Sequence, residues 1–175
     1  MFDDSDSFIA HLSGAVKAAE DDFVASRYIG FIAVSAVTVY EIMVKKLLID
    51  FAVRKHPMLG NFASASFDRL NAKIQREDIE KYLAYFGDEY LNFFKKTVDE
   101  KEKARAQEGS LKACYANLLE WRHEFVHAGR LPNQATFDEA IKAYHLGKEV
   151  VAALEETLSQ TPDTPADRRQ VDGKA

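Results

Sequence analysis

The sequence predicts an all-α protein. Three observations carry that prediction. Apolar residues recur at intervals of three and four along almost the whole chain, no series of alternating segments is bounded by hairpin turns, and Gly, Pro or a small polar residue stands where the periodic stretches stop.

The first helix is expected from about Ser7 to Ala25 after a Ser5/Asp6 cap, with Phe8, Leu12, Ala15, Ala19 and Phe23 as its buried stripe. A longer helix follows from about Tyr28. It is apolar all round at its start, which implies burial, and it ends near Lys55 because Pro57 disfavours helical geometry at His56. From Ser66 shorter helices are expected, first Phe67 to Asn71 with Ile74, then a segment with Ile79, Leu83 and Phe86 that breaks at Gly87. Asp88 is placed to cap the next helix, which carries Tyr90, Leu91, Phe93, Phe94 and Val98 and runs out into the solvated stretch DEKEKARAQE. These aromatics, with Tyr82, Tyr85 and Phe86, read as packing at a core or dimer interface.

Gly109-Ser110 ends that helix. The next spans about Leu111 to Ala128, with Leu111, Cys114, Tyr115, Leu118, Arg122 and Phe125 on one face, Gly129 as a left-handed cap and Pro132 preventing continuation. Thr136-x-x-Glu139 forms a capping box for a last helix to about Leu158. The tail TPDTPADRRQVDGKA has too little apolar surface to offset its ordering entropy, so the expected organisation is one domain over residues 1–159 and a disordered tail over 160–175.

Composition narrows the function. The formal net charge of −5 gives no global attraction to nucleic acid, so any phosphate site must be local, with Lys45, Lys46, Arg54, Lys55 and Arg130 as available cations. A single cysteine, Cys114, excludes an intrachain disulfide framework and suits a reducing, cytoplasmic compartment. The longest apolar run, Tyr28 to Tyr40, is too short to span a bilayer, and the acidic start MFDDSDSF is unlike a signal peptide, so neither membrane nor secretion is expected.

The chemistry concentrates in WRHEFVHAGR, Trp121 to Arg130. His123-Glu124-x-x-His127 matches a zinc-protease pattern, in which two histidines one turn apart share a metal and the glutamate activates its water. The extended form of that pattern needs Gly and His where Arg130 and Asn133 stand, and the strands that flank such a helix are not predicted. Glu139 and Glu149 remain as possible third ligands, with little weight. No metal is expected.

The same stretch also reads Arg122-x4-His127. A histidine can take the proton of a ribose 2′-hydroxyl, and a guanidinium can stabilise charge developing on phosphorane oxygens. Five positions along a helix put the two side chains about 140° apart around the axis, so a two-fold pairing of this helix suits a shared cleft. The bland readings are that Arg122 pairs with a buried carboxylate such as Glu41, the lone acid in an apolar stretch, and that His127 merely meets the carbonyl end of its helix.

Arg122-His123-x-x-x-His127, followed by Ala128-Gly129 and a last long helix, resembles the HEPN domains, most closely the RiboL-PSP-HEPN branch. The long second helix with Glu41 and the run FDRLNAKIQREDIEKYLAYFGDEYLNFF look like the corresponding helices of that branch, so the likeness covers about Asp6 to Leu158. It implies an up-and-down helical bundle with short additional helices that dimerises and acts as a metal-independent endoribonuclease without cofactor. Many such proteins are toxins or antiphage effectors, so RNA is the implied substrate and an antitoxin or regulatory protein a possible partner. Arg122 and His127 are then the catalytic residues, and His123 and Glu41 supporting ones. His123 occupies a position more commonly Asn or Asp in these families. The alternative is a non-catalytic helical module that binds RNA, nucleotide or a partner protein.

Overall fold

The computed structural model describes residues 2–19, 22–67, 74–129 and 135–160, all helical apart from short connections and without a strand among them. The helices are α1 (Asp3–Ala19), α2 (Asp22–Lys55), α3 (Pro57–Phe67), α4 (Arg76–Phe86), α5 (Asp88–Ala104), α6 (Leu111–Ala128) and α7 (Phe137–Ser159). Helices α2, α6 and α7 pack on one another at the centre; α1 and α3 cover α2, α5 lies against α7, and α4 packs on α5. This is the all-α bundle with short additional helices that the sequence predicts.

Three tyrosines hold the centre. Tyr40, Tyr115 and Tyr144 are buried, and the Tyr40 ring stacks on Tyr115 at 5.6 Å and on Tyr144 at 6.3 Å. A buried phenol needs a hydrogen-bond partner, and each has one. Tyr40 Oη donates to Tyr144 O at 2.5 Å, Tyr115 Oη to Ile74 O at 2.7 Å, and Tyr144 Oη to Asp6 Oδ1 at 2.8 Å. Burial pushes all three phenols well above their ordinary pKa, so they act as neutral donors. Through these bonds and ring stacks α1, α2, α6, α7 and the segment before α4 are joined.

Several expected details are corrected. Helix α1 begins at Asp3, not after Ser5/Asp6, and Ala25 belongs to α2. Ser5 is drawn inward to Tyr144 Oη at 2.6 Å, and Asp6 receives Lys148 Nζ at 2.5 Å, so both side chains serve tertiary contacts rather than a cap. The buried face of α1 is accordingly Ser5, Ile9, Leu12 and Val16, while Phe8 is exposed and Ala15 faces outward. Of the expected stripe only Leu12 is buried; the side chains of Ala19 and Phe23 lie outside the described residues.

Helix α3 is a second correction, because no helix was expected before Ser66. Pro57 ends α2 as predicted but also serves as the first residue of α3, where its missing N–H costs nothing. His56 Nδ1 accepts from Met58 N at 3.1 Å and His56 O from Gly60 N at 3.0 Å, so the new helix starts at once. Phe67 is the last described residue of α3, and the rest of the helix expected from Phe67 to Asn71 lies outside the described residues. Gly87, not Asp88, stands at the cap of α5; Asp88 lies in its first turn, where a negative charge is favourable.

The starts of α6 and α7 and the cap at Gly129 are as predicted. Thr136 accepts from Glu139 N at 3.2 Å while Glu139 Oε2 accepts from Thr136 N at 2.7 Å, a complete capping box. Helix α5 already ends at Ala104, ahead of the expected stop at Gly109-Ser110, but α6 starts where expected: Ser110 Oγ accepts from Ala113 N at 3.1 Å and Glu102 Oε2 from Leu111 N at 2.8 Å. The expected C-terminal tail, apart from Gln160, and Pro132 lie outside the described residues. No described helix is long and apolar enough to cross a membrane.

Candidate active site

The site residues stand on the last two turns of α6, and two features fix where those turns lie. Gly129 adopts φ 60° and ψ 18°, a left-handed cap whose N–H reaches Glu124 O, so the helix stops just beyond His127. Phe125 packs directly onto the backbone of α2 at Gly30. A Cβ at that position would lie 2.2 Å from Phe125 Cδ2, so only glycine admits the ring. Phe31 meets the same ring edge-on at 5.5 Å. The end of α6 is thereby clamped to the start of α2.

Arg122 is half-buried; His123 and His127 are exposed. Their imidazoles approach to 4.8 Å between centroids, inclined at 46°. No ion pair or side-chain hydrogen bond engages Arg122, His123 or His127 among the described residues. Three polar groups are therefore held on a rigid helix end with their hydrogen-bonding capacity unspent.

Arg122 and His123 also line a groove of about 660 Å³ between α6 and the first turn of α4. Its floor is apolar, with Val37, Tyr115 and Leu119, and Gln75 and Glu120 stand at its edge. His127 does not line it. The structure thus brings Arg122 together with His123 in the groove and His123 together with His127 by ring contact, while His127 lies outside the groove that Arg122 enters, as expected for positions about 140° apart on a helix.

Glu41 is not part of this cluster. Its carboxylate meets Lys45 Nζ at 3.0 Å, one turn further along α2, and no ion pair joins it to Arg122. Other cations considered for a phosphate site are committed locally: Lys46 Nζ to Asp50 at 2.5 Å, Arg54 Nη2 to the Leu158 carbonyl at 3.1 Å, and Lys55 Nζ 5.2 Å from the centre of the Phe51 ring. Arg130 lies outside the described residues. Burial raises the Cys114 thiol above its ordinary pKa, which disfavours a nucleophilic thiolate.

For the zinc parse, the two glutamates considered as third ligands have other partners. Glu139 closes the capping box, and Glu149 receives Lys101 Nζ and Arg105 Nη2, each at 3.2 Å. No group of three or more His, Cys, Asp or Glu residues is arranged to hold a metal among the described residues.

Sequence reasoning did not find the groove or the role of Gly30. A glycine inside a long apolar helix is a signal of close backbone approach. The groove has a fainter signal, the spacing Lys112, Ala116, Leu119, His123, which repeats every three or four residues along one side of α6.

The RiboL-PSP-HEPN family model matches residues 2–160. The chain belongs to this family. No curated protein and no solved structure matches it. HEPN domains are helical, are frequently ribonucleases, and often dimerise and bind RNA. The match spans all seven helices, so the family assignment rests on the whole bundle and not on the Arg122/His127 motif alone.

Proposed function

We propose that this HEPN protein is a metal-independent endoribonuclease in which Arg122 and His127, contributed by two copies of the chain, cut RNA at a shared cleft. The observation that carries the reading is the uncommitted Arg122, His123 and His127 cluster on a helix end that Gly30 and Gly129 hold in place. An arginine half-buried for structural reasons would be expected to hold a carboxylate, and Arg122 holds none among the described residues.

The divergence of the two side chains supports a dimeric site. Arg122 and His127 diverge on one helix, and two antiparallel copies of α6 would set one chain's arginine beside the other's histidine. Phe31 and Val126 are 51% and 49% exposed beside this helix end and supply apolar surface for such a contact.

In the cleft, His127 takes the proton of the ribose 2′-hydroxyl as the 2′-oxygen bonds to phosphorus. The bond from phosphorus to the 5′-oxygen breaks, and a protonated imidazole returns a proton to that oxygen. Arg122 stabilises the charge gathering on the non-bridging oxygens. The products end in a 2′,3′-cyclic phosphate and a 5′-hydroxyl. His123 supports the cluster by hydrogen bonding, and Glu41, paired with Lys45 one turn along α2, is a supporting residue outside it.

The same reading makes residues 1–159 one domain acting in the cytoplasm as a toxin or antiphage effector, held in check by an antitoxin or regulatory protein. The test is cleavage of labelled tRNA and messenger RNA in excess EDTA. Arg122→Ala and His127→Ala should each lower the rate by about 10²-fold or more with the fold intact, and the products should carry cyclic phosphate ends. Cleavage abolished by EDTA would instead restore a metal mechanism. RNA binding without cleavage, unchanged in both variants, would favour a non-catalytic binding module.

A further inference from the structure

We propose that the groove between α6 and the first turn of α4 is a nucleobase subsite that seats the base beside the scissile phosphate and prefers one bearing an exocyclic amino group. The inference rests on the ribonuclease reading of the same helix.

The groove volume, about 660 Å³, lies within the range of sites that enclose small molecules. Its floor of Val37, Tyr115 and Leu119 offers apolar surface to a flat ring. Single-stranded RNA presents such rings because its unstacked bases can be splayed into protein pockets.

Charge decides which part of a nucleotide enters. Two of the groove's cations are already neutralised: Lys112 Nζ lies 2.6 Å from Asp99, and Arg76 lies 3.3 Å from Glu77 and 3.6 Å from Glu80. Glu120, by contrast, makes no ion pair among the described residues. A phosphate pushed onto the apolar floor would lose its hydration and find no free counter-charge there, while a phosphate left at the end lined by Arg122 and His123 meets a free guanidinium. The base therefore points inward and the phosphate stays at the reacting end.

A carboxylate is an acceptor only, so it selects donors. Cytosine and adenine each offer an exocyclic amino group; uracil offers a carbonyl oxygen at the equivalent edge. Glu120 thus favours cytosine and adenine over uracil. The Gln75 carboxamide, which can donate or accept, completes the edge without changing that preference.

The test uses the full chain with Glu120→Gln and Ala116→Trp. Ala116 lines the groove and is exposed, so tryptophan fills the space without displacing the core. Cytidine, adenosine and uridine 3′-monophosphates are titrated in EDTA while the methyl NMR signals of Ala116 and Leu119 are followed in the wild type and Glu120→Gln, and those of Leu119 in Ala116→Trp. Cleavage is then measured on RNAs that differ only at the base flanking the cut.

Cytidine and adenosine monophosphates should bind about tenfold more tightly than uridine monophosphate, and Glu120→Gln should remove most of that ratio because an amide also donates. Ala116→Trp should abolish binding at unchanged helicity and melting temperature. Equal binding of the three nucleotides, a ratio unmoved by Glu120→Gln, or undiminished binding to Ala116→Trp would each overturn the subsite. Selective binding without any RNA cleavage would support the subsite and remove the ribonuclease reading. Cleavage indifferent to Glu120 would do the opposite.

Discussion

Gly30→Ala is the most informative single change, because two magnitudes of opposite sign meet there. In an exposed helix interior, alanine would stabilise by about 1 kcal/mol relative to glycine. At Gly30 the added methyl lies 2.2 Å from Phe125 Cδ2 and 2.5 Å from Cε2 and Cγ, so the whole ring edge is in its way. Ordinary carbon contacts are about 3.5–4.0 Å, so Phe125 must retreat by more than about 1 Å. Overpacking of that kind costs about 1–3 kcal/mol, which exceeds or cancels the gain in propensity. We expect net destabilisation of about 1 kcal/mol, and a melting temperature lower by about 2–4 °C for a chain of this size.

The functional effect should be larger. Phe125 stands between His123 and His127 on α6, and a displacement of about 1 Å in a catalytic group can cost about 10²-fold in rate. Denaturant unfolding of wild type, Gly30→Ala, Phe125→Ala and the double variant gives a thermodynamic cycle. The two changes should couple by about 1 kcal/mol or more, because removing the ring makes room for the methyl. If Gly30→Ala raises stability by the full propensity gain, or the two changes simply add, the clamp between α2 and α6 is not what positions this helix end.

Two further outcomes follow from the interior contacts. Tyr115→Phe removes the donor to the buried Ile74 carbonyl, which should cost about 1–3 kcal/mol in chemical denaturation and speed amide exchange in the first turn of α4, the wall of the groove. For Asp6, burial raises the pKa but the hydrogen bonds from Lys148 and Tyr144 outweigh it, leaving the carboxyl below the ordinary aspartate value of 3.8. A depressed folded value means the unfolded chain binds the proton first, so this contribution is present above pH 3.8 and is lost as pH falls through the lower folded value. Unfolding measured from pH 6 downward should show wild type losing an increment of stability below about pH 4 that Asp6→Asn does not lose. An identical acid dependence in both would show that the link between α1 and α7 carries no ionic component.

Where helices stop was legible because stopping is local chemistry. Gly129 can adopt a left-handed conformation, Thr136 and Glu139 satisfy each other's backbone N–H groups across one turn, and Pro57 cannot donate to a preceding carbonyl. Each of these acts within four residues, so the chain displays it in order. Pro57 also shows the limit of such signals, since a residue that ends one helix is equally suited to begin the next, and α3 was hidden for that reason.

Which face each helix turns inward was less legible. Periodicity placed Phe8 in the core, yet Ile9 and Val16 are buried and Phe8 is not, because the stripe of α1 is chosen by what α2 and α7 offer it. Ser5 and Asp6 looked like a cap until Tyr144 and Lys148, more than 130 residues away, claimed their side chains.

The Arg122-x4-His127 motif, the helix that bears it and the divergence of its two side chains were settled by sequence, because spacing on an α-helix is fixed by 3.6 residues per turn. Only tertiary structure decided that Lys45 rather than Arg122 meets Glu41, that His123 joins the groove to His127, and that Gln75 and Glu120 line one groove. Those outcomes depend on how α2, α4 and α6 pack, and packing sums many weak contacts between residues far apart in the chain.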